Sequence, residues 1–135
     1  MGRSEVILVD THIVVWLALA PDELSAKAAA AIDAARADGD RLAISDISLL
    51  ELAMLVSKGR IDLEISLESF LQQVETRFVV LPISGCACAR ASQLPAGYPN
   101  DPADRIIAAT AWDQGMALIT ADKAIRRSKV VRTIW

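Results

Sequence analysis

Four apolar residues, Val6, Ile7, Leu8 and Val9, follow one another without a polar interruption, and the run stops at Asp10. A short unbroken run of this kind predicts a strand buried on both faces, as in the middle of a parallel sheet. Residues 11 to 20 stay apolar until Pro21 and read as a helix. Ser25 then caps an alanine-rich run, AKAAAAIDAARADG, a strong helix former ending at Gly39. Leu42 to Ile44 reads as a second strand, and Ser45 or Asp46 caps a helix through Leu49, Leu52, Leu55 and Val56 to Gly59. From Ser66, the spacing of Leu67, Phe70, Leu71 and Val74 predicts another helix. Phe78 to Leu81 is a strand stopped by Pro82, and a helix follows through GCACARA to Leu94. PAGYPNDP is a breaker-rich loop, and Pro102 sits in the first turn of a helix that runs to Gln114. Ala117 to Ile119, Asp122 to Arg127 and Val130 to Ile134 complete the pattern as strand, short helix and strand.

Short apolar strands alternating with helices predict an α/β three-layer sandwich, with a central, mostly parallel sheet of about five strands flanked by helices. With no repeat, linker or low-complexity segment, residues 1–135 read as a single domain. In a parallel sheet every strand ends on one edge, and the helix after it starts there. Asp10 ends the first strand, Glu51 is early in the helix after the second, Asp104 opens the helix leading into the fourth, and Asp122 follows the fourth. All four acids therefore belong to one edge, where open α/β folds hold their ligands.

Helical spacing sharpens the assignment. Glu51 has Ile47, Ser48, Met54 and Leu55 as neighbours on its face, so it lies in a mostly apolar stripe with no capping role. Asp113, nine residues beyond Asp104, is about 900° further round and expected to meet water. Asp10 and Asp122 also suit helix caps, Asp104 suits a helix dipole, and Asp101 is a good N-cap before Pro102 and a rival to Asp104 for a metal. Like charges about 4 Å apart cost about 4 kcal/mol at an effective dielectric of ~20, so such a cluster calls for protonation or a bound cation. Oxygen ligands without histidine or thiolate favour Mg or Mn over Zn, and carboxylate-only sites suit attack at phosphodiesters.

Composition adds limits. Hydrophobic residues make up 53% of 135, enough for a folded core, and the net charge of −3 gives no bulk attraction to nucleic acid or anionic membrane. Lys123, Arg126, Arg127, Lys129 and Arg132 nevertheless crowd the end of the sequence, as a solvated face or a phosphate-contacting patch. Cys86 and Cys88, two apart on a helix, suit neither a disulfide nor a zinc site and are read as small core residues of a reducing compartment. The start, with Arg3 and an apolar stretch, imitates a signal peptide, but Asp10 and His12 interrupt it and no run is long enough to span a membrane; the expectation is cytoplasmic. His12 is the single histidine, which argues against serine- or cysteine-based triads and suits a local structural role. Trp16, Trp112 and Trp135 are read as packing residues, and no phosphate-binding glycine loop occurs.

The ordered set VILVDTH, SLLELAMLVSKGRI, DPADRIIAATA and LITADKAI resembles the PIN-domain ribonucleases, and within them the VapC-like toxins of toxin–antitoxin systems. The resemblance covers nearly the whole chain. It implies an acidic quartet at Asp10, Glu51, Asp104 and Asp122, with Asp10, Asp104 and Asp122 on the metal and Thr120 a nearby hydroxyl. It further implies a Mg- or Mn-dependent endoribonuclease, inhibited by a small antitoxin and homodimeric. No tryptophan precedes Glu51, as one does in many relatives, which implies a packing change. A PIN-like module that mainly binds a protein partner is the alternative. An aspartyl-phosphate phosphatase is disfavoured, because it needs a second Asp where this chain has His12.

Overall fold

A computed structural model describes residues 6–39 and 42–135; Arg3, the basic residue of the signal-like start, lies outside them. The elements are β1 (Ile7–Val9), α1 (Thr11–Leu19), α2 (Ala26–Ala37), β2 (Leu42–Ser45), α3 (Asp46–Ser57), α4 (Leu67–Arg77), β3 (Val79–Leu81), α5 (Gly85–Ser92), α6 (Pro102–Gln114), β4 (Leu118–Ile119), α7 (Lys123–Ser128) and β5 (Thr133–Ile134), with a 3-10 turn at Pro21–Glu23. The five strands form one sheet in the order β3-β2-β1-β4-β5. Every pairing among the described residues is parallel, so the sheet is wholly rather than mostly parallel.

The unbroken apolar run at the start is explained by the central position of β1, where Leu8 pairs with Ala43 on one side and Leu118 on the other. Successive strand residues face opposite layers. Leu8 packs with Ile107, Ala108 and Ala111 of α6, whereas Val9 packs with Ile13, Ile32, Leu52 and Phe70 from the helices of the other layer. Both are fully buried. Serine caps start four helices, with Ser25, Ser45, Ser66 and Ser84 each accepting a backbone N–H from the first turn. Gly115 ends α6 at φ 66°, a left-handed turn that glycine adopts without strain.

Three expectations change. The last strand covers only Thr133–Ile134, because β5 is an edge strand whose one neighbour, β4, offers just two residues to pair with. The third strand begins at Val79, since the Phe78 N–H is used by Val74 O to close α4. Cys86 and Cys88 are exposed free thiols, not core residues. Ala87 between them is the buried position of α5, and residues on either side of it lie about 100° away around the helix, so both thiols turn outward. No helix among the described residues is long and apolar enough to cross a membrane.

Candidate active site

The C-terminal edge of the sheet gathers the acids. Asp10 follows β1 as N-cap of α1 and is 6% exposed. Its Oδ1 accepts the Thr11 N–H at 2.8 Å, and its Oδ2 accepts the Thr120 hydroxyl at 2.7 Å. Thr120, fully buried just past β4, also accepts the Asp122 N–H at 3.1 Å. One hydroxyl thus ties together the ends of the neighbouring strands β1 and β4. Asp122 caps α7 through the Ile125 N–H at 3.0 Å.

Glu51 reaches the same edge from α3. The Thr11 hydroxyl donates to Glu51 Oε1 at 2.6 Å, and Thr11 Oγ1 lies 2.8 Å from Ser48 Oγ. Thr11 has a single hydroxyl proton; with it committed to Glu51, Ser48 is the donor in the second bond. Both hydroxyl residues are buried. Asp101 caps α6 by accepting the N–H groups of Ala103 and Asp104 at 2.8 and 3.4 Å. The loop that carries it is clamped by Arg105, whose guanidinium donates to Pro99 O, Ala91 O and Leu94 O at 3.1, 3.2 and 3.2 Å. Glu51, Asp101 and Asp104 each offer a carboxylate oxygen within 4.8 Å of the others.

Asp104 is the electrostatic centre. Burial, then the charges of Asp10, Asp101, Glu51 and Asp122, push its carboxyl up to about 7. Burial also raises Asp10, against the hydrogen bonds from Thr120 and Thr11, with Asp122 adding a little to the rise. Glu51 is raised chiefly by burial and then by Asp101 and Asp10, while its bond from Thr11 works the other way. Each shift is unfavourable for a carboxylate and would be reversed by a cation. The donor set fits a hard divalent ion, since it is all oxygen, has no thiolate and leaves His12 exposed. Carboxylate oxygens gathered this closely repel one another, and a bound divalent cation would offset that repulsion.

The family model for the PIN domain matches residues 7–130. The chain belongs to the PIN domain family. Ribonuclease VapC22 of Mycobacterium tuberculosis (strain ATCC 25618 / H37Rv) is 39% identical over 131 residues, covering 96% of this chain and 98% of that protein. Solved structures share the PIN fold. The structure of VapBC2 from Rickettsia felis bound to a promoter DNA fragment matches with a TM-score of 0.72 at 20% identity, over 94% of this chain and 96% of that one. The structure of DNA-bound VapBC from Salmonella typhimurium matches with a TM-score of 0.71 at 23% identity, over 96% and 97%.

Within this PIN domain all four acids singled out in the sequence lie at one edge, but among the described residues only Glu51 and Asp104, joined by Asp101, form a close carboxylate group, and Asp10 and Asp122 stand outside it. Asp104 feels the other three, and Asp101 stands in the cluster while also capping α6. The hydroxyl pair of Thr11 and Ser48 was not anticipated from the sequence; its signal was Thr11 directly after Asp10 and Ser48 three residues before Glu51. His12 is exposed, with its ring against Trp16. Asp113, expected to meet water, does lie away from the pocket, but it is partly buried and pairs with Arg90 Nε at 3.3 Å, while the same guanidinium covers Trp112 at 4.6 Å.

Proposed function

We propose that this PIN domain is a Mg- or Mn-dependent endoribonuclease acting in the cytoplasm as the toxin of a toxin–antitoxin pair. The reading is supported most by the carboxylates of Glu51, Asp101 and Asp104, which lie within 4.8 Å of one another, with Asp10 and Asp122 near enough for their charges to act on Asp104. The 39% identity to a ribonuclease over almost the full length of both chains supports the choice of RNA.

Asp10, Asp104 and Asp122 are the ligands in this scheme, directly or through water, with Asp101 close enough to share the task. A divalent cation there supplies charge stabilisation to the attacking and leaving oxygens of a phosphodiester. Thr120 and the Thr11 N–H each occupy one side of the Asp10 carboxylate, fixing its plane and leaving the remaining lone pairs for a ligand. The Thr11 bond fixes Glu51 through Oε1, so Oε2 is the atom that takes a proton from the attacking water. Hydrolysis breaks the P–O3′ bond and leaves a 5′-phosphate and a 3′-hydroxyl.

A small antitoxin is the partner in this reading. The similar structures named above are of VapBC, and Leu50 and Met54, 56% and 45% exposed, present apolar surface beside Glu51 for a partner to cover. The chain acts as a homodimer. The test is cleavage of an RNA panel by antitoxin-free protein in Mg or Mn, with calorimetric titration of each ion. Cleavage that EDTA and Asp10→Asn both abolish, with ion uptake lost in the variant, is the expected result. A folded protein that takes up neither ion and cuts no RNA overturns the proposal.

A further inference from the structure

Beyond the carboxylates, on the β5 side of the same edge, lies an open groove of about 670 Å3 lined by Lys27 of α2, by Lys123, Arg126, Arg127 and Lys129 of α7 and its C-terminal cap, and by Trp135. We propose that this groove is the track for the backbone of a single-stranded RNA whose scissile phosphate lies at the carboxylate pocket, an inference that rests on the ribonuclease reading.

Four observations carry it. None of the five cationic side chains forms an ion pair with another described residue, so their charge is directed at solvent. In a chain of net charge −3, five unpaired cations around one groove form a strong local exception. The groove also joins the pocket: Lys123 follows Asp122, and the Ile134 carbonyl in the groove accepts the Thr120 N–H at 3.3 Å. Finally, an aromatic series runs between the two. The His12 ring lies 6.3 Å from Trp16, and Trp16 lies 5.7 Å from Trp135. A cationic groove with an aromatic wall is what sequence-tolerant binding of single strands requires, the cations meeting phosphates and the ring meeting a base. An acidic protein segment would use the cations but has no need of that wall or of the join to the carboxylates. The volume lies within the range of sites that hold small-molecule ligands, about 300–1,000 Å3, and so admits a nucleotide.

The experiment measures anisotropy of a fluorescein-labelled single-stranded RNA with the full chain in EDTA, which keeps the strand uncut, over a range of salt. Lys123 and Arg127 are exposed, so Lys123→Gln/Arg127→Gln retains the fold. Loss of two phosphate contacts lowers the slope of log affinity against log salt by about 1.4 and weakens binding about 25-fold at 0.1 M salt. In Mg or Mn the same variant raises KM for cleavage and keeps kcat. Unchanged affinity and slope, with wild type still cutting RNA, overturns the groove and leaves the ribonuclease standing. A wild type that neither binds nor cuts any RNA overturns both. Tighter binding of a labelled poly-glutamate peptide than of RNA, lost in the variant, overturns the track in favour of a protein partner.

Discussion

Asp104→Asn removes one negative charge from a pocket where the charges of four other acids act on it, and its consequence for the metal-free protein can be worked out. The Asp104 carboxyl titrates at about 7 in the folded protein against an ordinary 3.8. Below the ordinary value it is protonated in both folded and unfolded chains, and no penalty exists. Between about 4 and 7 the unfolded chain releases the proton while the folded one keeps it, so stability is lost progressively as pH rises. Above about 7 the loss is complete. Three units correspond to at most about 4 kcal/mol. Asp104 is partly exposed to water, which screens the repulsion, and a loss of about 1–2 kcal/mol is the reasonable expectation. The neutral amide escapes that loss. In EDTA at pH 8 the variant therefore melts about 3–8 °C above wild type, while at pH 4 the two melt together. Adding Mg or Mn raises the wild-type melting temperature, by the equivalent of about 2.7 kcal/mol at a hundred times Kd, and raises that of the variant far less. Circular-dichroism melts across pH 4–8, with and without the ions, read all of this. A variant that is no more stable than wild type at pH 8 in EDTA, with the same pH profile, refutes the repulsion argument.

Other substitutions probe the supports. Thr11→Val unties Glu51 from its donor and leaves Ser48 without an acceptor, so kcat for RNA cleavage falls about 10–100-fold, whereas Thr11→Ser keeps the hydroxyl and restores most of it. Arg105→Met fills similar space but abandons three backbone carbonyls, which costs about 2–3 kcal/mol in urea unfolding; an unchanged midpoint counts against the clamp. Cys86 and Cys88 both react with a thiol reagent in the folded protein at rates close to those after denaturation, and protection of either contradicts their exposure.

Much of the edge was legible in the sequence because its logic is topological. An unbroken apolar run names a central strand, and the residue that ends it must emerge at the edge, which placed Asp10. The same reasoning placed Glu51, through the apolar stripe of α3, and Asp104, through the first turn of α6. What stayed hidden depends on neighbours distant in the chain. The bond from Thr11 to Glu51 spans 40 residues, and that from Thr120 to Asp10 spans 110, so no local pattern announces either. The exposure of the cysteines is not legible in their residue type, because the orientation of α5 is decided by Ala87 against its neighbours. The length of β5 depended on its partner strand rather than on its own residues.

In the sequence, capping and metal binding compete as explanations for Asp10, Asp101 and Asp122, yet all three acids cap a helix and all three lie at the proposed site. The competition dissolves for a geometric reason. For Asp10 and Asp122, the residue between a strand of a parallel sheet and the helix after it is at once the N-cap and an edge position near a ligand, whereas Asp101 reaches the edge from the loop between α5 and α6. A carboxylate there uses one oxygen or lone pair for the helix N–H groups and has the rest to turn inward. The N-terminal ends of α1, α6 and α7 also bring positive dipole ends to the edge. Glu51 and Asp104 lack a cap of their own to satisfy, being within helices, and both are raised by burial and neighbouring charge. The capping acids thus fix the frame of the pocket, and burial raises Asp10 together with the two helical acids, an electrostatic demand that a divalent ion would meet.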